Sequence, residues 1–127
     1  MNYQQQYIQL ESTHQMNVSK LKTKTKELKV LERDPQRNAE RILILKAQVV
    51  EDSEIVTASK TELKKHRARM GRLAKTMRNV ELKVFYYKYV RKYGLKNIAK
   101  KMGYSHSHIK RISAKLSKKL QDQADER

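Results

Sequence analysis

Cysteine is absent from this chain of 127 residues, proline occurs once and glycine occurs three times. Without cysteine the chain forms neither disulfides nor thiolate zinc sites, and this composition fits a reducing cytoplasm. With so few helix breakers, the chain is predicted to be almost entirely helical, an all-α protein. Apolar runs of about twenty residues are also missing, and the chain does not open on a charged segment followed by a hydrophobic one. We therefore predict neither a membrane span nor a secretory signal.

Acidic residues are scarce as well, because 13 Asp and Glu stand against 30 Lys and Arg, a net charge of +17. Such an excess favours a polyanionic partner, since binding it releases condensed counterions. The chain shows no nucleophile–base pair, no glycine-rich phosphate loop and no cluster of metal ligands. His106 and His108 diverge around a helix, and Glu51, Asp52 and Glu54 are interpreted as a solvated or ion-pairing face. We expect no enzyme activity, no cofactor and no bound metal.

The single proline marks the one clear break in the N-terminal half. Proline disfavours helix in the residue before it but fits the first turn of a new helix. The sequence therefore predicts a turn at residues 33–36, with Asp34 as N-cap and Pro35 in the first turn of a second helix.

After this turn an apolar residue recurs every seven positions, which predicts a long helix with one apolar seam. The seam residues are Ile42, Val49, Val56, Leu63, Met70 and Met77. The companion heptad positions of this helix include the polar residues Asp52, Ser59 and His66. The first helix carries a weaker seam, which His14 and Lys24 interrupt. The seam is therefore predicted to be weakest in the middle.

Two arrangements of this seam remain open. It can pack against the first helix in an antiparallel hairpin, or it can pair with the long helix of a second copy in a coiled coil. The second arrangement makes a dimer, which would present two copies of the C-terminal segment at a fixed spacing. We favour the homo-oligomer.

Residues 94–121 have the pattern of a short helix, a tight turn and a second helix rich in cations. Leu95–Met102 is predicted to be the first helix, and Gly103 to end it in the left-handed conformation that glycine adopts without steric cost. Ser105 is predicted to cap the second helix by accepting a hydrogen bond from its free N–H groups. Ala99 is small where two helices must cross closely, as a helix-turn-helix requires.

The second helix is predicted to have an inward and an outward face. Ile109, Ile112 and Leu116 follow i, i+3, i+7 spacing and are expected to face inward. The first turns of a recognition helix meet base edges in the major groove. The predicted base contacts are His106, Ser107, Lys110 and Arg111. The predicted phosphate contacts, which position the protein without reading sequence, are Lys96, Lys100, Lys101, Tyr104, Lys115, Lys118 and Lys119.

The segment before this pattern is basic and aromatic. From Arg78 to Lys119 there are thirteen Lys and Arg and a single acid, Glu81, an imbalance that indicates a nucleic-acid surface. Interleaved aromatics and cations can stack on unpaired bases, but at helical spacing Phe85 and Tyr89 are predicted to be core. Asn79 is a candidate N-cap for a helix over 80–93, although the heptad pattern also allows one uninterrupted helix.

The spacing of these residues resembles region 4 of the sigma-70 family of RNA polymerase sigma factors. The matching pattern is Ile98-Ala99, three residues, Gly103, one residue, Ser105, three residues and Ile109. The segment 81–90 resembles the helix that precedes this motif in the family. The resemblance covers residues 80–120 and is closest to the short regulators of phages and prophages, the ArpU and RinA type of late-gene activator. It implies double-stranded DNA as the partner, a contact with bacterial RNA polymerase, and the bacterial host cytoplasm as the location.

Together these patterns predict a helical coiled-coil or oligomerisation region at 1–78, a sigma region 4-like helix-turn-helix domain at 79–121 and a disordered tail at 122–127. The predicted function is a DNA-binding transcription regulator, an activator, that reads the major groove with helix 105–121. The four predicted base contacts correspond to base-contacting positions of the sigma family. The alternative is a structural DNA-packaging protein of the small-terminase type, which also joins a helix-turn-helix to oligomerising helices.

Overall fold

The computed structural model describes residues 2–76 and 79–125, and within them every regular element is a helix. The helices are α1 (Tyr3–Leu31), α2 (Ala39–Thr76), α3 (Val80–Phe85), α4 (Leu95–Met102) and α5 (His106–Asp125), and a π-helical turn (Tyr86–Val90) follows α3. The all-α fold is confirmed. No helix among the described residues is both long and apolar enough to cross a membrane.

The chain forms two compact units, one made of residues 7–65 and the other of residues 1–6 together with 66–127. The division falls inside α2, between Lys65 and His66, whereas the sequence placed a boundary at Arg78. Helical periodicity runs through this point without a change, so the pattern of α2 could not mark it.

The connection between α1 and α2 is longer than the predicted turn, because α1 ends at Leu31 and α2 begins at Ala39. The Asp34 carboxylate accepts a hydrogen bond from the backbone N–H of Arg37 at 3.4 Å, so it caps an isolated turn rather than α2. The Asn38 amide donates to the carbonyl of Leu31 at 3.0 Å and satisfies one of the acceptors left at the end of α1. The prediction that α2 starts at Pro35 is therefore wrong.

Within residues 7–65, α1 and α2 form an antiparallel hairpin. Polar pairs that cross between the two helices include His14–Ser59 at 2.7 Å, Lys24–Asp52 at 2.9 Å and Glu27–Arg41 at 3.0 Å. The residue number rises along α1 while the partner's number falls along α2, which fixes the antiparallel register. The polar residues that interrupt the two apolar seams are therefore paired with one another.

The seam of α2 lies against α1 of the same chain, so the hairpin is the arrangement that the structure contains. Ile42 and Leu63 are buried in this unit, and Val49 and Val56 are half-buried. Met70 is buried in the other unit, and Met77 lies outside the described residues. Residues 42–63 therefore contribute to the hairpin, and pairing of this seam with a second copy stays a prediction.

We call the unit made of residues 1–6 and 66–127 the C-terminal unit. It has a small core in which α3 and α4 both pack on α5. Its largest fully buried side chains are Met70, Val84, Phe85, Ile98, Ile109 and Leu116. A Cβ atom on Gly71 would lie 2.9 Å from the hydroxyl oxygen of Tyr86, so glycine permits the close approach of this tyrosine to α2. The burial of Phe85 confirms that it is core.

The segment after α2 is a separate helix with an unusual end. The Asn79 side chain accepts a hydrogen bond from the N–H of Leu82 at 3.1 Å, which confirms it as the N-cap of α3. Beyond Phe85 the backbone widens, since the N–H of Arg91 donates to the carbonyl of Tyr86 at 2.9 Å, five residues back. Lys92 then takes a left-handed φ of 59°. The predicted helix over 80–93 therefore ends early.

The C-terminal helix is longer than predicted. α5 continues to Asp125, whereas residues 122–127 were expected to be a disordered tail. The prediction is wrong for residues 122–125, and Glu126 and Arg127 lie outside the described residues.

Candidate nucleic-acid interface

The corner between α4 and α5 has the geometry that the sequence predicts. Gly103 is left-handed, with φ 74° and ψ 27°. The N–H of Tyr104 donates to the carbonyl of Ala99 at 3.0 Å, and that of Gly103 to Lys100 at 3.4 Å, the paired bonds of a glycine-terminated helix. Ser105 Oγ then accepts from the N–H of His108 at 3.2 Å and caps α5. Both the stop and the cap are confirmed.

The inward face of α5 is rotated relative to the predicted one. Ile109 and Leu116 are fully buried, but Ile112 is half-buried and Ser113 takes the third buried position. The Ser113 hydroxyl accepts a hydrogen bond from the ammonium of Lys88 at 2.6 Å, so this buried polar group is satisfied. Lys88, counted among the surface cations in the sequence, therefore points towards α5. The position of Ser113 in the sequence, between the inward-facing Ile109 and Leu116, could have indicated this contact.

The outward face of α5 carries an exposed row at i, i+4, i+7 and i+11. We call these residues the outward row: Ser107, Arg111, Ala114 and Lys118. Three of the predicted base contacts are exposed, namely Ser107, Lys110 and Arg111, whereas His106 is half-buried. His108 is exposed instead, and its ring lies 5.0 Å from that of Tyr104.

The predicted phosphate contacts fall into two groups. Most of them are exposed on α4, the corner or α5, namely Lys96, Lys100, Lys101, Tyr104, Lys115 and Lys118. Lys119 is also exposed, but its ammonium donates to the Glu81 carboxylate at 3.2 Å on α3. Lys119 therefore pairs with the one acid of this segment in an exposed ion pair, and its role as a phosphate contact stays a prediction.

A second cationic feature lies around the π-helical turn, in the segment where the sequence has interleaved aromatics and cations. We call it the tyrosine–cation cluster, formed by Tyr87, Arg91, Tyr93 and Lys101. The rings of Tyr87 and Tyr93 are nearly parallel, at 8°, with centroids 5.9 Å apart. The Lys101 ammonium lies 5.4 Å and 5.5 Å from the two centroids, a cation–π arrangement with both rings. The tertiary contact of α4 with the π turn adds Lys101 to the three residues that the turn itself brings together.

Arg91 tunes the phenol of this cluster. Its guanidinium donates to the hydroxyl of Tyr93 at 3.1 Å. This hydrogen bond, followed by the positive charge of Arg91, lowers the pKa of Tyr93 below the ordinary value of 10.0. The same hydrogen bond raises the pKa of Arg91.

We expect Arg91→Gln to raise the pKa of Tyr93 towards its ordinary value, because the charge that favours the phenolate is lost. When the folded pKa of an acid lies below its unfolded pKa, the gain in stability is fully present above the unfolded pKa and is lost as pH falls through the folded pKa. At neutral pH the change in the pKa of Tyr93 should therefore leave the free energy of unfolding unchanged. Ultraviolet titration of the phenolate band measures the pKa, with Tyr93→Phe to assign the signal. An unchanged first phenolate transition in Arg91→Gln would contradict the assignment.

The exposed face of α5, as far as the structure describes it, carries cations and no metal-ligand group. Among the described residues, no group of three His, Asp or Glu side chains is placed to hold a metal ion. Glu81 pairs with Lys119 on the α3 side of α5, away from the outward row. The exposed face of α5 is therefore cationic over its first three turns.

No family model, no curated protein and no solved structure matches this chain.

Proposed function

We propose that the protein binds double-stranded DNA by laying the outward row of α5 in the major groove. The observation that carries this proposal is the exposed row itself, on a 20-residue helix whose start is fixed by a left-handed glycine and a serine cap. An α-helix fits the major groove, and its first turns reach the base edges.

The outward row offers different chemistry along its length. Arg111 can donate two hydrogen bonds to guanine O6 and N7, and Ser107 can contact either base type. Ala114 has no long side chain, so it lets the helix approach the groove floor and can contact a thymine methyl group. Lys110 can donate to guanine beside Arg111. Lys115 and Lys118 extend to the phosphates on either side, as do Lys96 and Lys100 from α4.

Regulation of transcription, as an activator that contacts RNA polymerase, is the biological role that we propose for this binding. Its support is the resemblance of residues 80–120 to sigma region 4. A homo-oligomer remains part of the proposal, although residues 42–63 contribute to the hairpin. Sedimentation velocity measures the assembly, and a ring of many subunits would favour the DNA-packaging alternative.

The test separates base reading from phosphate binding. In vitro selection on random duplexes supplies a specific site, and binding is then measured at several salt concentrations. We expect Arg111→Ala to cost about 1–3 kcal/mol at the selected site and to relax base preference at one position. Lys100→Ala should weaken all duplexes alike and reduce the salt slope by about one.

Arg33→Ala is the matched control, because it removes one exposed arginine from the connection between α1 and α2. It should leave the selected site and the base preference unchanged. Equal losses on selected and random DNA for both Arg111→Ala and Lys100→Ala would contradict this division of roles. No duplex binding at low salt would refute the proposed function.

A further inference from the structure

Two clefts in the C-terminal unit border the tyrosine–cation cluster. The first cleft has a volume of about 410 Å³ and is lined by Val80, Lys83, Tyr87, Lys101, Met102 and Tyr104. The second has a volume of about 470 Å³ and is lined by Arg67, Ala68, Tyr86, Val90, Arg91 and Tyr93. One ring of the stacked pair lines each cleft, Tyr87 the first and Tyr93 the second.

The two clefts have the same chemical composition although they share no residue. Each is lined by two tyrosines, two cations and two apolar side chains, and neither is lined by a carboxylate. Such walls suit a ligand with a flat ring and an adjacent anionic group. The rings provide stacking surfaces, the cations pair with the anion, and volumes of this size hold small organic ligands.

The backbone around the π turn holds the stacked pair in place. The N–H of Tyr93 donates to the carbonyl of Tyr87 at 2.8 Å, which ties together the two residues that carry the rings. Lys92 between them is left-handed, although Gly94, which could adopt this conformation at less cost, has a φ of −71°. A π turn and a non-glycine residue in this conformation are typical of segments whose geometry serves a site.

We propose that the tyrosine–cation cluster binds unpaired nucleotides of single-stranded nucleic acid. Bases stack on Tyr87 in the first cleft and on Tyr93 in the second. The phosphates pair with Lys83 and Lys101 in the first cleft and with Arg91 in the second. This activity goes beyond the binding of duplex DNA by α5, because bases stacked inside a duplex present their edges in the grooves and not their faces.

The experiment measures binding of the full chain to a fluorescein-labelled oligothymidylate by anisotropy, beside the selected duplex. Tyr87→Leu and Tyr93→Leu should each weaken oligothymidylate binding roughly tenfold, the usual loss when one stacking ring is removed. Their affinity for the duplex should stay unchanged. Tyr3→Leu is the matched control, since Tyr3 is an exposed tyrosine that lines neither cleft. It should bind the oligothymidylate as the parent chain does.

Conservative variants separate stacking from folding. Tyr87→Phe and Tyr93→Phe keep the ring and should retain parent affinity, and circular dichroism verifies that the leucine variants are folded. The chain has seven tyrosines and no tryptophan, so tyrosine fluorescence reports stacking directly and should be quenched by the oligothymidylate. Leucine variants that are folded and bind like the parent chain would overturn the proposal.

Competition identifies the chemistry of the ligand. Thymidine monophosphate should compete with the oligothymidylate better than inorganic phosphate does, because only the nucleotide carries a ring. Equal competition by inorganic phosphate or by polyglutamate would reduce the clefts to a general anion surface and overturn the proposal. Arg111→Ala should lose duplex preference and keep oligothymidylate binding, so failure of duplex binding and failure of this proposal give different results.

Discussion

Ile109→Ala should lower the free energy of unfolding of the C-terminal unit by about 3–4 kcal/mol, one of the two largest effects that we expect. The Ile109 side chain is completely buried on α5, where α3 and α4 both pack. Truncation removes several buried methyl and methylene groups and leaves a cavity that the surrounding helices fill only in part. A unit of this size has little stability to spare, so α5 should detach and duplex binding should fall with it.

Ile112→Ala is the matched control, because it deletes the same atoms one turn along the same helix. Ile112 is half-buried, and its truncation should cost only about 1 kcal/mol. Urea unfolding followed by tyrosine fluorescence measures both variants, since Tyr86, Tyr87, Tyr89, Tyr93 and Tyr104 all lie in this unit. Equal costs for the two substitutions would show that α5 has the inward face predicted from sequence rather than the observed one.

The second large effect concerns the ion pair inside the hairpin. The Lys24 ammonium lies 2.9 Å from Asp52 Oδ2, and the two side chains are 21% and 8% exposed. The carboxylate oxygen has no hydrogen-bond partner in suitable geometry, so the nearby charge is its main compensation. Lys24→Met should therefore cost about 3 kcal/mol, because it leaves a buried carboxylate without a counter-charge.

Replacing both partners should behave differently from replacing one. In the double variant Lys24→Met, Asp52→Leu no charge is left buried, and the hairpin should regain parent stability or exceed it. Arg41→Ala is the control, because its pair with Glu27 has a similar distance, 3.0 Å, but is 58% and 42% exposed. That substitution should cost less than about 1 kcal/mol. Thermal unfolding followed by circular dichroism gives all values, and a double variant weaker than Lys24→Met would contradict the account.

The corner of the candidate interface was predictable because its causes are local. Gly103 ends α4 since glycine alone adopts the left-handed conformation without steric cost, and Ser105 caps α5 with its own side chain. Asn79 caps α3 in the same way. Each of these depends on a few consecutive residues, so a pattern of residue types was sufficient to find it.

The inward face of α5 and the end of α3 could not be predicted in this way. Helical spacing allowed Ile112 as well as Ser113 to face inward, and the choice depends on the Lys88 side chain that reaches Ser113 from another helix. The π turn likewise has no sequence signature, and the ring pair of Tyr87 and Tyr93 exists only because of it. Contacts between helices decide such positions, and sequence spacing within one helix does not contain them.

The sequence by itself determined that the chain is helical, where the glycine corner lies and that the C-terminal segment is strongly basic. Few helix breakers, one left-handed glycine and a charge imbalance act through local conformation and composition, which need no knowledge of the fold. The tertiary structure decided that the α2 seam closes on α1 through His14–Ser59 and Lys24–Asp52, and which side chains of α5 remain exposed. These outcomes depend on contacts between side chains that are distant in sequence. A polar residue in a seam favours a hairpin only when its hydrogen-bond or ion-pair partner lies opposite it on the other helix.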